Sequence, residues 1–161
     1  MKKIAVLGLI LGLILGASQA LAADKKPVKI GVMAPVTGQW ASEGQDMVNI
    51  VKLLADDLNK AGGAGGRMCE IEGGDDGGDP KTATLAAQRL IGAGAVAVIG
   101  TYGSAITEAT QDIEDEEGVL QIGTGSTSVR LTEKKLPLFF RTCPRDDDQG
   151  RVLAKHVQAM G

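Results

Sequence analysis

The stretch AVAVIGTYGSAITEA, residues 95–109, decides the fold. Ala95 to Ile99 is a short run of apolar residues with no polar alternation. That is the mark of a strand buried in the middle of a parallel sheet. Gly100 and Gly103 let the chain turn, and Ser104 opens a helix that is expected to reach about Glu117. A strand, a glycine turn and a helix in such close succession are half of a βαβ unit.

The same succession repeats on both sides. Before it, VKIGVMA (Val28–Ala34) reads as a first strand. Gln45–Lys60 reads as a helix with Met47, Ile50, Val51, Leu54 and Leu58 along one face. AGGAGG from Ala61 stops it. Arg67–Gly73 alternates and predicts a second, partly exposed strand, followed by the loop GDDGGDP. Asp79 is a helix cap with Pro80 at the first helical position, and this helix runs to about Ile91. After the opening stretch come a fourth strand (Val119–Ile122), the loop GTGSTS and a fifth strand within LPLFFRT. A last helix follows the acidic run RDDDQG. The order predicts an α/β fold: an open, doubly wound parallel sheet with right-handed crossovers.

The chain begins with Met1-Lys2-Lys3, an uncharged apolar run from Ile4 to Ala17, and Ala20-Leu21-Ala22. This is the pattern of a secretory signal peptide over residues 1–22. The run is shorter than the roughly 20 residues a spanning helix needs. A periplasmic protein of residues 23–161, forming one domain, is therefore expected. With Lys2 and Lys3 removed, 15 basic residues face 20 acidic ones, a net charge of −5. That balance argues against nucleic acid and against an anionic membrane surface as partners. At the other end, DQGRVLAKHVQAMG reads as a helix that stops at Gly161. The alternation calls for a further strand, so the chain is expected to be incomplete.

In such sheets ligands sit beyond the carboxyl ends of the strands. The loops there match neither a Walker sequence nor a dinucleotide fingerprint. Ser104 is not in a nucleophile elbow. The only histidine, His156, stands alone on the last helix beside Val152, Leu153 and Val157. Asp75-Asp76 reads as a solvated loop, and Asp146-Asp147-Asp148 as an acidic helix start favoured by the helix dipole. No enzyme activity, metal or cofactor is expected. A small polar ligand remains. The Ser104 hydroxyl and the free N–H groups of its helix suit an anion, and GTGSTS lies on the neighbouring strand. The alternative is that Ser104 only caps its helix and the second loop only turns.

Taken together, VKIGVMAPVTGQWASEGQDM, LNKAGGAGGRMCEIEGGDDGGDPKTA, VAVIGTYGSAIT and RTCPRDDDQG resemble the periplasmic leucine/isoleucine/valine-binding proteins. These are solute receptors of branched-chain amino-acid ABC transporters with the type I periplasmic-binding fold. The resemblance implies an amino acid held in a cleft between two lobes and delivered to an ABC permease in the inner membrane. It implies that Ser104 binds the ligand's charged groups, with the Gly125 carbonyl and Thr127 beside it. Trp40 and Tyr102 are candidate pocket walls. It also implies a chain more than twice as long, with the second lobe missing here and weak or absent binding by this part alone. A ligand-sensing receptor lobe and a truncated fragment that no longer binds are the competing readings.

Three features depart from that family. A disulfide is expected between two positions that are glycine here, Gly78 and Gly103. Cys69 and Cys143 are expected at opposite sides of the sheet and unpaired. An aromatic pocket position corresponds to Glu43, which is expected on the solvated rim, with Trp40 three residues earlier as its substitute.

Overall fold

The computed structural model describes residues 26–161, so the leader expected over residues 1–22 lies outside the described residues. β1 (Val28–Ala34) pairs in parallel with β2 (Cys69–Asp75) over its whole length, from Val28 opposite Cys69 to Ala34 opposite Asp75. On its other side β1 pairs with β3 (Ala97–Ile99), which pairs with β4 (Leu120–Gly123), which pairs with β5 (Phe139–Arg141). Every pairing is parallel and the spatial order is β2-β1-β3-β4-β5. The helices between them are α1 (Ala41–Lys60), α2 (Pro80–Gly92), α3 (Ser104–Glu116) and the short α4 (Arg130–Glu133), and α5 (Asp146–Met160) follows β5. The expected open, parallel α/β sheet is what forms. The chain runs outward from β1 to β2, then α2 carries it back across β1 to β3. This reversal places the switch point of the sheet, and the crevice above it, between β1 and β3.

The period-two alternation of β1 feeds two cores. Met33 joins Val98, Ile106, Val119 and the small face of α2 (Ala83, Ala86, Ala87 and Leu90) on one side. Val32 and Ala34 meet Val48 of α1 on the other. Gly31 points toward α2, where a Cβ would come within 3.0 Å of Leu90 Cδ1. The α2 start is as read from sequence. Asp79 accepts hydrogen bonds from Thr82 N (2.8 Å) and Thr82 Oγ1 (2.9 Å), with Pro80 at the first helical position.

Several boundaries differ from expectation for identifiable reasons. β2 begins two residues later and runs through Gly74 and Asp75, because β1 offers pairing partners up to Ala34. α1 begins at Ala41 rather than Gln45, since its first turn rests on the β1 loop, with Gly44 N donating to Trp40 O at 2.9 Å. The face of α1 expected to form core is largely open. Met47 and Val51 are half-buried, while Ile50, Leu54 and Leu58 stay 54%, 61% and 42% exposed. On that side of the sheet α1 packs on β1 and β2, and β3, β4 and β5 carry no covering helix among the described residues. Ala97, Ile99, Leu120 and Ile122 are accordingly only half-buried there. The acidic run lies inside α5 rather than before it, with Asp146, Asp147 and Asp148 forming its first turn. No residue of α5 is buried, so the apolar side beside His156 faces outward. Cys69 and Cys143 are free, as β2 and β5 at opposite edges require. Among the described residues, no helix is long and apolar enough to cross a membrane.

Candidate functional site

Four loops meet above the carboxyl ends of the strands. The loop after β1 is anchored by Asp75, at the end of β2. Its carboxylate accepts from Val36 N (3.0 Å), Thr37 N (3.3 Å), Thr37 Oγ1 (2.7 Å) and Gly77 N (2.9 Å). Partial burial pushes the Asp75 carboxyl up, but these hydrogen bonds outweigh it and hold the group below its ordinary value. Asp76 is fully buried, and its Oδ1 accepts from Gly78 N at 2.8 Å. Burial raises its carboxyl, and the neighbouring Asp75 charge adds to the effect. The acidic pair is therefore not the solvated loop expected from sequence; it ties the β1 and β2 loops together.

Trp40 closes the β1 loop. Its indole lies against the two glycines at which the resemblance expected a disulfide. A Cβ on Gly78 would stand 3.1 Å from Trp40 Cε3, and one on Gly103 would stand 3.3 Å from Trp40 Cζ3. The ring meets Tyr102 edge to face, with centroids 5.7 Å apart and planes inclined by 66°. Tyr102 in turn covers Gly125, where a Cβ would lie 2.7 Å from Tyr102 Cδ2 and 2.8 Å from the Tyr102 carbonyl oxygen. Glycine at 125 is thus what allows the β3 and β4 loops to touch.

Ser104 is not the cap of α3. Gly103 holds that position, and Ser104 is the first helical residue. The extended backbone of Gly103 starts the helix and leaves the Ser104 side chain directed at the next loop. There its Oγ accepts from Ser128 N at 3.1 Å. The Gly123–Ser128 loop is braced from behind by residues that the sequence pattern did not single out. Ser126 Oγ is buried and bonds to Thr107 Oγ1 (2.5 Å) and to the Thr101 carbonyl (3.2 Å), and Thr101 Oγ1 bonds Thr107 Oγ1 (2.7 Å). The Arg141 guanidinium donates to Ser126 O (2.9 Å), Ser128 O (2.8 Å) and Thr132 Oγ1 (2.6 Å). The Thr127 carbonyl accepts from Asp146 N at 3.0 Å. These bonds leave the Ser104 and Ala105 N–H groups, the Gly125 carbonyl and the Thr127 hydroxyl without a hydrogen-bond partner among the described residues. Two donors of a helix start and two further polar groups on the adjoining loop suit a small zwitterion better than a phosphate, which asks for donors only.

Glu43 is exposed, and its carboxylate accepts from Ser42 Oγ at 2.7 Å. That hydrogen bond keeps its carboxyl below the ordinary value. It borders a groove of about 630 Å3 between α1 and Tyr102, together with Asp46, Met47 and Ile50. Among the described residues, no group of three or more His, Cys, Asp or Glu side chains is arranged to hold a metal ion.

Arg141→Met is expected to loosen this brace. Removing even one charge-assisted bond corresponds to about 1.5 kcal/mol. The amides of residues 126–128 should then exchange about tenfold faster while those of β1 are unchanged.

These features gather free donors and acceptors at one rim of the sheet, and comparison with known proteins gives the kinship of the chain. The profile of the periplasmic binding protein family matches residues 27–161, and the chain belongs to that family. It is 38% identical over 130 residues to Leu/Ile/Val-binding protein homolog 2 of Brucella abortus, covering 81% of this chain and 35% of that protein. It is 37% identical over 153 residues to an amino acid binding protein of Pseudomonas aeruginosa, covering 94% of this chain and 40% of that one. Among solved structures, the leucine binding protein LivK of Thermotoga maritima superimposes with a TM-score of 0.70 at 29% identity, over 79% of this chain and 35% of the other. An ABC transporter substrate-binding protein of Desulfitobacterium hafniense, solved as its complex with Leu, gives 0.70 at 28% identity, over 85% and 40%. The chain therefore spans between about a third and two fifths of the length of the relatives it matches. These relatives are named as binding proteins.

Proposed function

We propose that this chain forms one wall of the solute-binding component of an ABC importer for amino acids, with leucine-type side chains as the first choice. The observation that supports this most is the pairing of free groups on the segments that follow β3 and β4, beside the switch point. The Ser104 and Ala105 N–H groups and the Thr127 hydroxyl suit an α-carboxylate, and the Gly125 carbonyl suits an α-ammonium. Tyr102 lies over Gly125 and stands next to where the rest of the ligand would extend. The names of the relatives favour the same class of ligand. Recognition requires no bond to break, only hydrogen-bonding groups held in place. Export to the periplasm and delivery to an inner-membrane permease belong to the same reading.

One wall buries only part of a ligand, and most of the affinity of such sites comes from burial on all sides. Binding of L-leucine by this chain is therefore expected to be weak. Amide shifts in a ¹⁵N-labelled sample are the test. Millimolar L-leucine should move Tyr102–Ala105 and Gly125–Ser128 and leave α5 in place. A panel of free amino acids that moves none of these amides would overturn the assignment of the site. Sub-micromolar binding in calorimetry would overturn the one-wall argument.

A further inference from the structure

We propose that Trp40 is a positioning residue rather than a pocket wall: its indole, wedged between Gly78 and Gly103, holds Tyr102 over Gly125 and so sets the loop that carries the Gly125 carbonyl and Thr127. This rests on the reading of the β4 loop as part of the ligand site.

The contacts form an unbroken path across four loops. The same six-membered ring of the indole meets both glycines. Cε3 and Cζ3 would be 3.1 and 3.3 Å from a Cβ on Gly78, and Cζ3 and Cη2 would be 3.3 and 3.6 Å from one on Gly103. A side chain at either position would press on the ring and oblige it to give by a few tenths of an ångström, so the two glycines make the slot in which the indole packs. Its partner Tyr102 is met edge to face, the arrangement that the ring quadrupoles favour. Tyr102 also lies against Gly125, where an added Cβ would stand 2.7 Å from Tyr102 Cδ2, 3.1 Å from Cε2 and 2.8 Å from the Tyr102 carbonyl oxygen. Trp40 is itself held. Its carbonyl accepts from Gly44 N at 2.9 Å at the start of α1, and Asp75 anchors Val36 and Thr37 upstream of it. Fixed at its base and packed on two loops, the indole transmits its position through Tyr102 to residues it does not touch. Packed contacts of this kind carry coupling because close-packed interiors shift between discrete arrangements rather than deform smoothly.

Trp40 is the single tryptophan, so its emission reports this slot alone. The experiment compares the protein with Trp40→Ala, Trp40→Phe and Gly125→Ala. Loop order is read by amide shifts and exchange at residues 123–128, and ligand binding by titration with L-leucine. Trp40→Ala should shift the 123–128 amides, speed their exchange and weaken leucine binding at least tenfold. Trp40→Phe, which keeps a ring in the slot, should stay within about threefold of the parent. Gly125→Ala, whose methyl must displace Tyr102, should move the Trp40 emission maximum with no ligand present. If Trp40→Ala does not fold, the Gly125→Ala emission and the Trp40→Phe exchange carry the test. Unmoved loop amides in a folded Trp40→Ala protein, or unmoved emission in Gly125→Ala, overturn the proposal. Coupled loops with no leucine response at any concentration would leave the wedge standing and remove the ligand reading instead.

Discussion

Glu114→Gln is expected to stabilise the protein by about 3 kcal/mol at pH 7 and to flatten its stability between pH 5 and pH 8. Glu114 lies on the inner face of α3 and is fully buried, and neither carboxyl oxygen has a hydrogen-bond partner. Burial pushes its pKa from 4.5 to about 8, with no nearby charge involved. The native state therefore keeps the proton and the unfolded chain gives it up. Below the unfolded value both states are protonated and the group is neutral to stability. From there up to about pH 8 each pH unit removes about 1.4 kcal/mol, and above it the loss levels off. At pH 7 the accumulated loss is about 3 kcal/mol, which is a large part of a typical domain's stability. The neutral amide of Gln removes the titration. It also brings two donors into a layer where the Gln111 and Gln121 side-chain oxygens lack partners. Those residues are close to it in the fold: Gln111 is one turn away on α3, and Gln121 Nε2 donates to Thr110 Oγ1 at 2.9 Å. Urea melts at pH 5 and pH 7.5 would check this. The parent should lose stability on going up in pH and the variant should not. Asp76, whose carboxyl is also raised by burial, titrates in the same direction, so the difference between the two proteins is the measured quantity. Parallel pH profiles for the two proteins would show that Glu114 is charged in the fold.

The polar layer beneath α3 shows where pattern reading stops. Thr107, Thr110, Gln111 and Glu114 recur at helical spacing, but a polar face at that spacing normally points to water. Here it packs on Gln121 and Ser126, residues that come later in the chain and whose partners a local window does not contain. The apolar face of α1 is the reverse case. Its spacing announced a buried stripe, yet spacing says only that a face is apolar, and the neighbouring strands bring no second layer on that side among the described residues. What was legible followed from features complete within a few residues. The apolar strands, the Asp79-Pro80 helix start and the glycine turns placed the sheet and its loops within two to four residues, which set Ser104 and the GTGSTS loop at one rim; within that loop only the family resemblance singled out Gly125 and Thr127. The rest depends on contacts between distant segments. Asp75 reaches Thr37, 38 residues away in sequence, Arg141 reaches back to Ser126 and Ser128, and Trp40 finds its slot between loops that follow two other strands. Asp and Arg are at home in solvated loops, and a local window around Trp40 does not contain the glycines it packs on.

Gly44→Ala should be severely destabilising, although helix propensity argues for the opposite sign. Gly44 lies in the first turns of α1, where replacing glycine by alanine ordinarily gains about 1 kcal/mol. Its position decides against that gain. Gly44 is buried, and an added Cβ would run into the carbonyl oxygen and carbon of Pro35, with Pro35 N at 3.0 Å. These are backbone atoms of the residue that directly follows β1, a strand paired on both sides, so they cannot swing away as the end of a flexible side chain can. Either α1 lifts from the sheet or the β1 loop moves. Lifting α1 opens the core of Val32, Ala34 and Val48, and moving the loop pulls on the Asp75 hydrogen bonds and on Trp40. Overpacking against yielding neighbours costs about 1–3 kcal/mol, and a rigid backbone neighbour places this site at or above the upper end, so the net loss is about 3 kcal/mol. Thermal melts should show a fall of roughly 10 °C, together with a change in Trp40 emission even where the variant is fully folded. Gly150→Ala, in the interior of exposed α5 with no atom within 4 Å of its added Cβ, is the internal control. There propensity acts alone, and the melting temperature should hold or rise. The contrast isolates the close approach of α1 to Pro35 as the reason glycine is required at 44: it is what seats the helix low enough for Trp40 to enter its slot.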